Sequence, residues 1–120
     1  MDHERSVAEL KQTVQTFCED RDWDQFHDAK ELAIGMCTEA GELLQHFRFL
    51  SREQISELFE NSEKMEMISS ELADVLFFAL RFSQLYNIDL SKALRDKISK
   101  NALKYPIEKS KGCNLKYSDL

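Results

Sequence analysis

Ile68-Ser69-Ser70-Glu71-Leu72-Ala73-Asp74-Val75-Leu76-Phe77-Phe78-Ala79-Leu80-Arg81-Phe82 is the stretch on which the reading of this chain turns. At helical periodicity Leu72, Val75, Leu76, Phe77, Phe78, Ala79, Leu80 and Phe82 cover every side of the cylinder, and a helix that is apolar all round is buried all round. A bundle made by one small chain does not surround such a helix. The expectation is therefore a subunit interface, most simply a symmetric dimer whose helices pack as a larger bundle.

Working outward, Ser62 opens this helix, which runs to about Tyr86 with Asn87 as its stop. Upstream, Asp28 caps a helix running to about Phe49, with Glu31 as capping-box partner and Leu32, Met36, Glu39 and Leu43 on its inward stripe. Between the two, Ser51 caps a short helix from Arg52 to Glu60. The first helix, about Glu4 to Asp20, carries Val7, Leu10, Val14 and Phe17 on one stripe. It leads into the connection Arg21-Asp22-Trp23-Asp24-Gln25-Phe26-His27. The last helix starts at Asp89 or Ser91 and ends near Tyr105, because Pro106 disfavours a helical residue before it. Three glycines and one proline leave little material for turns. The class is all-α, a four- to five-helix bundle completed by oligomerisation, with 1–106 as a single helical domain and 107–120 as an extended tail.

Cys18, Cys37 and Cys113 are odd in number and lack C-x-x-C spacing, so neither a disulfide framework nor a zinc site is indicated. No run reaches the roughly 18 apolar residues of a membrane span, and the N-terminus has no apolar signal core; a soluble, cytoplasmic protein is expected. The net charge of −6 argues against nucleic acid as a partner. Its distribution says more: residues 1–88 hold eight Lys/Arg against eighteen Asp/Glu, whereas residues 89–120 hold eight against four. An acidic body with a basic last third suits a metal and an anion held together.

Glu39-Ala40-Gly41-Glu42 and Glu71-Leu72-Ala73-Asp74 each place two carboxylates on one helix face. With 22 acidic residues in 120, chance alone gives roughly four such pairs, and Glu19/Asp22, Glu57/Glu60 and Glu63/Glu66 are others. Setting distinguishes the two chosen pairs. Glu39 continues the Leu32, Met36, Leu43 stripe, and Glu71 and Asp74 lie among Ile68, Val75 and Phe78. Acids pointing inward need cations or protons, either from Lys and Arg or from a hard divalent metal, and Mg²⁺ prefers carboxylates supplemented by water and phosphate. Gly41 frees space for an approaching backbone or ligand, or for tight helix packing. A di-iron bundle would use Glu-x-x-His, whereas His46 stands four residues after Glu42. Lys97, Asn101 and Lys104 form one polar stripe on the last helix, suited to phosphates or to solvent. Arg81 shares the face of Glu71, where it neutralises phosphate or pairs with an inward acid. Trp23 reads either as a hydrophobic anchor or as a base-stacking surface, and His27 and His46 read first as hydrogen-bonded structural residues.

Glu39-x-x-Glu42, 28 intervening residues and Glu71-x-x-Asp74 together resemble the MazG-type all-α nucleoside triphosphate pyrophosphohydrolases. Arg21 to His27, Glu39 to Leu43, Glu71 to Leu76, Lys97 to Pro106 and Lys116-Tyr117 look most like the dCTP pyrophosphatase branch. The resemblance implies cleavage between the α and β phosphates of a nucleoside triphosphate, giving monophosphate and pyrophosphate, in a dimer or tetramer with a housecleaning role. It implies Mg²⁺, with Mn²⁺ as substitute, on Glu39, Glu42, Glu71 and Asp74, which are also the catalytic residues. Lys97 and Asn101 would meet phosphates and sugar, with Lys104 added as a candidate by the stripe it shares with them, and Trp23 and His27 would meet the base. Phe49 stands where the branch often has Trp and Phe78 where some relatives have Tyr, and both bear on base choice. The competing readings are an all-α dUTPase-like hydrolase and a non-catalytic helical dimerisation or interaction module.

Overall fold

The computed structural model describes residues 1–120, which are helical or irregular throughout, with no strand. The chain divides into two compact units, Met1–Asn87 and Ile88–Leu120. The first contains α1 (Val7–Glu19), a 3₁₀ turn (Asp24–Phe26), α2 (Ala29–Gln45), α3 (Arg52–Leu58) and α4 (Ser62–Leu85). The second contains α5 (Leu90–Lys104), α6 (Ile107–Ser110) and a 3₁₀ turn at Tyr117–Asp119.

Side-chain caps decide where the helices start. The Ser6 hydroxyl accepts from Glu9 N at 3.1 Å while the Glu9 carboxylate accepts from Ser6 N at 2.7 Å, so α1 begins at Val7, later than the expected Glu4. Asp28 caps α2 as expected, accepting from Glu31 N at 2.8 Å. Ser51 and Gln54 form a second capping box at the head of α3. At α4 the cap is Asn61, accepting from Lys64 N at 3.0 Å, which makes Ser62 the first helical residue. Asp89 caps α5 in the same way.

Two expected boundaries are corrected. The helix read as continuing to Phe49 stops at Gln45, and the backbone then turns until Phe49 takes a left-handed φ of 66°. No helix passes through that conformation. Residues 107–120, expected as extended chain, open with the single turn of α6 and close with the 3₁₀ turn at Tyr117–Asp119; the Tyr105 and Tyr117 rings meet edge to face at 6.1 Å.

In the first unit, α4 packs against α1 and α2. Val14 and Cys18 from α1, Leu32 from α2, and Ile68 and Leu80 from α4 form the buried apolar core. An aromatic seam ties α1 to α4: Phe17 meets Trp23 at 5.5 Å and Phe77 at 5.8 Å, both edge to face. The side of α4 turned from its neighbours is uncovered, with Leu72 57% and Leu76 48% exposed. Within one chain, the all-round burial expected of α4 is thus met on one side only.

Candidate active site

α2 and α4 lie side by side, and α2 brings both acids of its pair, and α4 the first of its own, to the same place. Single carboxylate oxygens of Glu39, Glu42 and Glu71 all lie within 4.8 Å of one another. Glu39 and Glu71 are half-buried and Glu42 is exposed. Asp74, itself exposed, lines a cavity with Glu39 instead of joining the tight cluster. His46, from the turn after α2, places Nε2 3.9 Å from Glu71 Oε1. The sequence suggests only a structural role for His46. Its place four residues after Glu42, at the end of α2, is the signal that it stands beside the acids.

The electrostatics of this cluster are unfavourable as it stands. Loss of solvent raises the Glu39 pKa first; a hydrogen bond to Glu42 and repulsion from Glu42, Asp74 and Glu71 then add to it. Glu71 is raised for the same leading reasons, desolvation and then Glu42, and His46 partly offsets the shift. Two carboxyls hydrogen-bond only if one carries a proton, so the cluster holds protons more tightly than free carboxylates do. Glu39 Oε2 is buried and has no hydrogen-bond partner. The reading of these acids as paired with Lys or Arg finds no such partner among the salt bridges. A hard oxygen donor set of this kind, with one buried oxygen unclaimed, fits a divalent cation such as Mg²⁺.

Next to the acids is a cavity of about 410 Å³ lined by Thr13, Val14, Phe17, Trp23, Glu39, Asp74, Phe77 and Phe78. The sequence points to Trp23 and Phe78. It does not point to Thr13, Val14, Phe17 or Phe77, because an apolar stripe gives no sign of whether it meets a neighbour or an opening. Phe49 does not line this cavity: its ring is 88% exposed beyond α2 and lies under the Arg48 guanidinium at 4.5 Å. Gly41 has nothing within 4 Å of where its Cβ would be, so it does not mediate helix packing in this chain.

Arg81 answers the question left open for it. Its side chain is fully buried, donating from Nε to His27 Nδ1 at 3.0 Å, from Nη1 to Gln84 Oε1 at 2.5 Å, and from Nη2 to Asp24 Oδ1. The acid it pairs with belongs to the 21–27 connection and not to the quartet. Burial and then the Arg81 charge hold the His27 pKa below its ordinary value, so the ring is neutral at physiological pH. His27 also touches Trp23 edge to face at 6.2 Å. The clamp therefore fixes the segment that presents Trp23 to the cavity. Cys18, a buried residue of α1, has its thiol pKa raised by burial and is an unreactive core residue.

Lys97, Asn101 and Lys104 lie on α5 in the second unit, Lys97 and Lys104 exposed and Asn101 half-buried. Lys104 Nζ stands 4.8 Å from the centroid of the Tyr117 ring.

The two packed helices of this all-α chain bring Glu39, Glu42 and Glu71 together beside an aromatic cavity, an arrangement in keeping with the resemblance to MazG-type pyrophosphohydrolases. A profile of the MazG-like family matches residues 34–120, and the chain belongs to that family. Among its relatives, dCTP pyrophosphatase 1 of Rattus norvegicus is 28% identical over 117 residues, 98% of this chain and 69% of the relative. The Homo sapiens protein of the same name is 25% identical over the same span. A solved pyrophosphatase from Archaeoglobus fulgidus shares the fold with a TM-score of 0.77 and 31% identity, over 82% of this chain and 91% of its own. The family resemblance drawn from the sequence is met. No helix is long and apolar enough to cross a membrane.

Proposed function

We propose that this protein is a Mg²⁺-dependent nucleotide pyrophosphohydrolase that cleaves a deoxynucleoside triphosphate, dCTP or a related one, to monophosphate and pyrophosphate. The observation that carries the reading is the convergence of Glu39, Glu42 and Glu71 beside an aromatic cavity, with a buried Glu39 oxygen left unpartnered. Glu39, Glu42, Glu71 and Asp74 would hold the metal. When bound, it supplies Lewis-acid stabilisation of the triphosphate and lowers the pKa of an attacking water. Mn²⁺ is the natural substitute, having the same preference for oxygen ligands.

The chain's own part is to position, to orient and to accept a proton. One carboxylate of the quartet would orient the attacking water or take its proton. Trp23, held by the Arg81 clamp, and Phe78 would sandwich or line the base, with His27 behind Trp23. Phe49 offers a second, exposed aromatic surface. Lys97, Asn101 and Lys104 would bind phosphates and sugar, in keeping with the basic last third of the chain. The exposed Leu72 and Leu76 of α4, and Leu94 and Ile98 of α5, support a homodimer or homotetramer in which these stripes are covered. Its place of work would be the cytoplasm, where free nucleotides are.

The test is pyrophosphate release from a panel of dNTPs and NTPs with millimolar Mg²⁺, comparing wild type with Glu42→Gln. Turnover by wild type alone, highest with dCTP, is expected. A preference for dUTP would transfer the chain to a dUTPase-like role. No turnover with either Mg²⁺ or Mn²⁺ would leave an interaction module.

A further inference from the structure

One wall of the cavity is set by a residue that does not line it. Gly35 lies on α2 one turn before Glu39, and Phe78 lies on α4 one turn after Asp74, so a carboxylate layer is followed by a glycine–phenylalanine layer across the same helix pair. A Cβ built on Gly35 would fall within 2.8 Å of three Phe78 ring carbons, Cδ1, Cε1 and Cζ. Ring carbons and a methyl group sit no closer than about 3.5 Å. Phe78 thus rests directly on the α2 backbone and occupies the volume where any larger residue at 35 would carry its side chain. Phe78 is also a cavity wall, together with Glu39 and Asp74.

We infer that Gly35 is a specificity-determining positioning residue: by letting the Phe78 ring lie back against α2 it sets the depth of the recess that takes the nucleobase. The inference rests on the proposed function and adds to it the residue that fixes which bases fit. A methyl at 35 must drive the ring away from α2 by about 1 Å or separate the helices, because packed interiors hold no spare volume. Helix separation is opposed by the core that flanks this layer, Leu32 on α2 and Leu80 on α4, both buried. The ring is the softer element, and the direction left to it is the cavity.

The experiment compares Gly35→Ala, Phe78→Leu and the double variant with wild type, over triphosphates graded in base size from unsubstituted pyrimidines to purines. KM is read for each that turns over and a competitive Ki for each that does not, with kcat and Tm alongside. Gly35→Ala is expected to raise KM or Ki about tenfold or more for the largest bases and less than about threefold for the smallest, with kcat within about twofold. In the double variant the smaller leucine side chain gives the methyl room, and the graded effect disappears. A rise uniform across bases, a fall confined to kcat or Tm, no change, or no rescue by Phe78→Leu would each overturn the inference and leave Gly35 as a packing residue. If the wild type neither hydrolyses nor binds any triphosphate, the proposed function fails first, an outcome separable from all of these.

Discussion

The packed pair α2 and α4, with the connection that precedes α2, holds two polar clusters, and they obey opposite rules. Around Arg81 every charge is answered: the buried guanidinium meets Asp24, His27 and Gln84. Around Glu39 like charges converge, and a buried oxygen is left without a partner. A compensated cluster stabilises the fold and gains nothing from a ligand. An uncompensated one costs stability, a cost that under the proposed function is relieved when a cation binds. Position along the chain does not distinguish them, since Asp74 and Arg81 are two turns apart on one helix.

The contrast is most sharply broken at Glu42, which acts on both other members of the acidic cluster. Glu42→Gln is expected to lower kcat by about a thousandfold in the pyrophosphate assay while leaving the metal-free Tm unchanged or higher. A variant that kept its rate would remove the acids from the chemistry. At the compensated end the effect falls on stability. Asp24→Ala leaves a buried guanidinium without its counter-charge and is expected to cost about 3 kcal/mol in urea unfolding. Arg81→Met removes the buried charge itself and should cost less, and the reverse order would mean that the guanidinium is not buried as described.

The acidic end can also be read by pH. Folding raises the pKa of Glu39 and Glu71, so their contribution to stability is fullest below the unfolded carboxyl pKa and is lost as pH rises through the folded value. Without divalent cations, Glu71→Gln should therefore be more stable than wild type near neutral pH, and the gap should close as pH falls into the ordinary carboxyl range. His27 shifts in the opposite sense but is common to both proteins, so it cancels from the difference. Millimolar Mg²⁺ should close the same gap from the other side by stabilising wild type alone. The smallest effect is at Gly41, where an added Cβ meets nothing. Gly41→Ala should stabilise the metal-free fold by up to about 1 kcal/mol through helix propensity, whereas the same change at Gly35 cannot.

Much of this is written in local patterns. Asp28 and Ser51 announce their helices because a cap needs only a neighbour three residues away, and the inward lean of Glu39 and Glu71 follows from the stripes they interrupt, whereas Asp74, read the same way, stands exposed. Ser6 is masked because the amphipathic pattern runs back through it to Glu4, and only the reciprocal bond with Glu9 shows that the helix starts there. The turn at 46–49 is silent in the sequence since no glycine or proline marks it, and Phe49 accepts a backbone shape that glycine adopts at lower cost. What no local pattern can give are the distant pairings. Nothing in the sequence selects Asp24 among 22 acids as the partner of Arg81, or tells that Phe78 rests on Gly35.

The bond from Arg81 to His27 also fixes a proton. A guanidinium does not deprotonate in proteins, so Nδ1 of His27 can only accept, and the one ring proton of the neutral imidazole must sit on Nε2. The side chain is held as a single tautomer, presenting an N–H donor on the edge away from Arg81. A second proton would place two donors face to face. Acid therefore cannot simply charge this histidine: it must first pull the ring off the arginine, and with it the segment that carries Trp23.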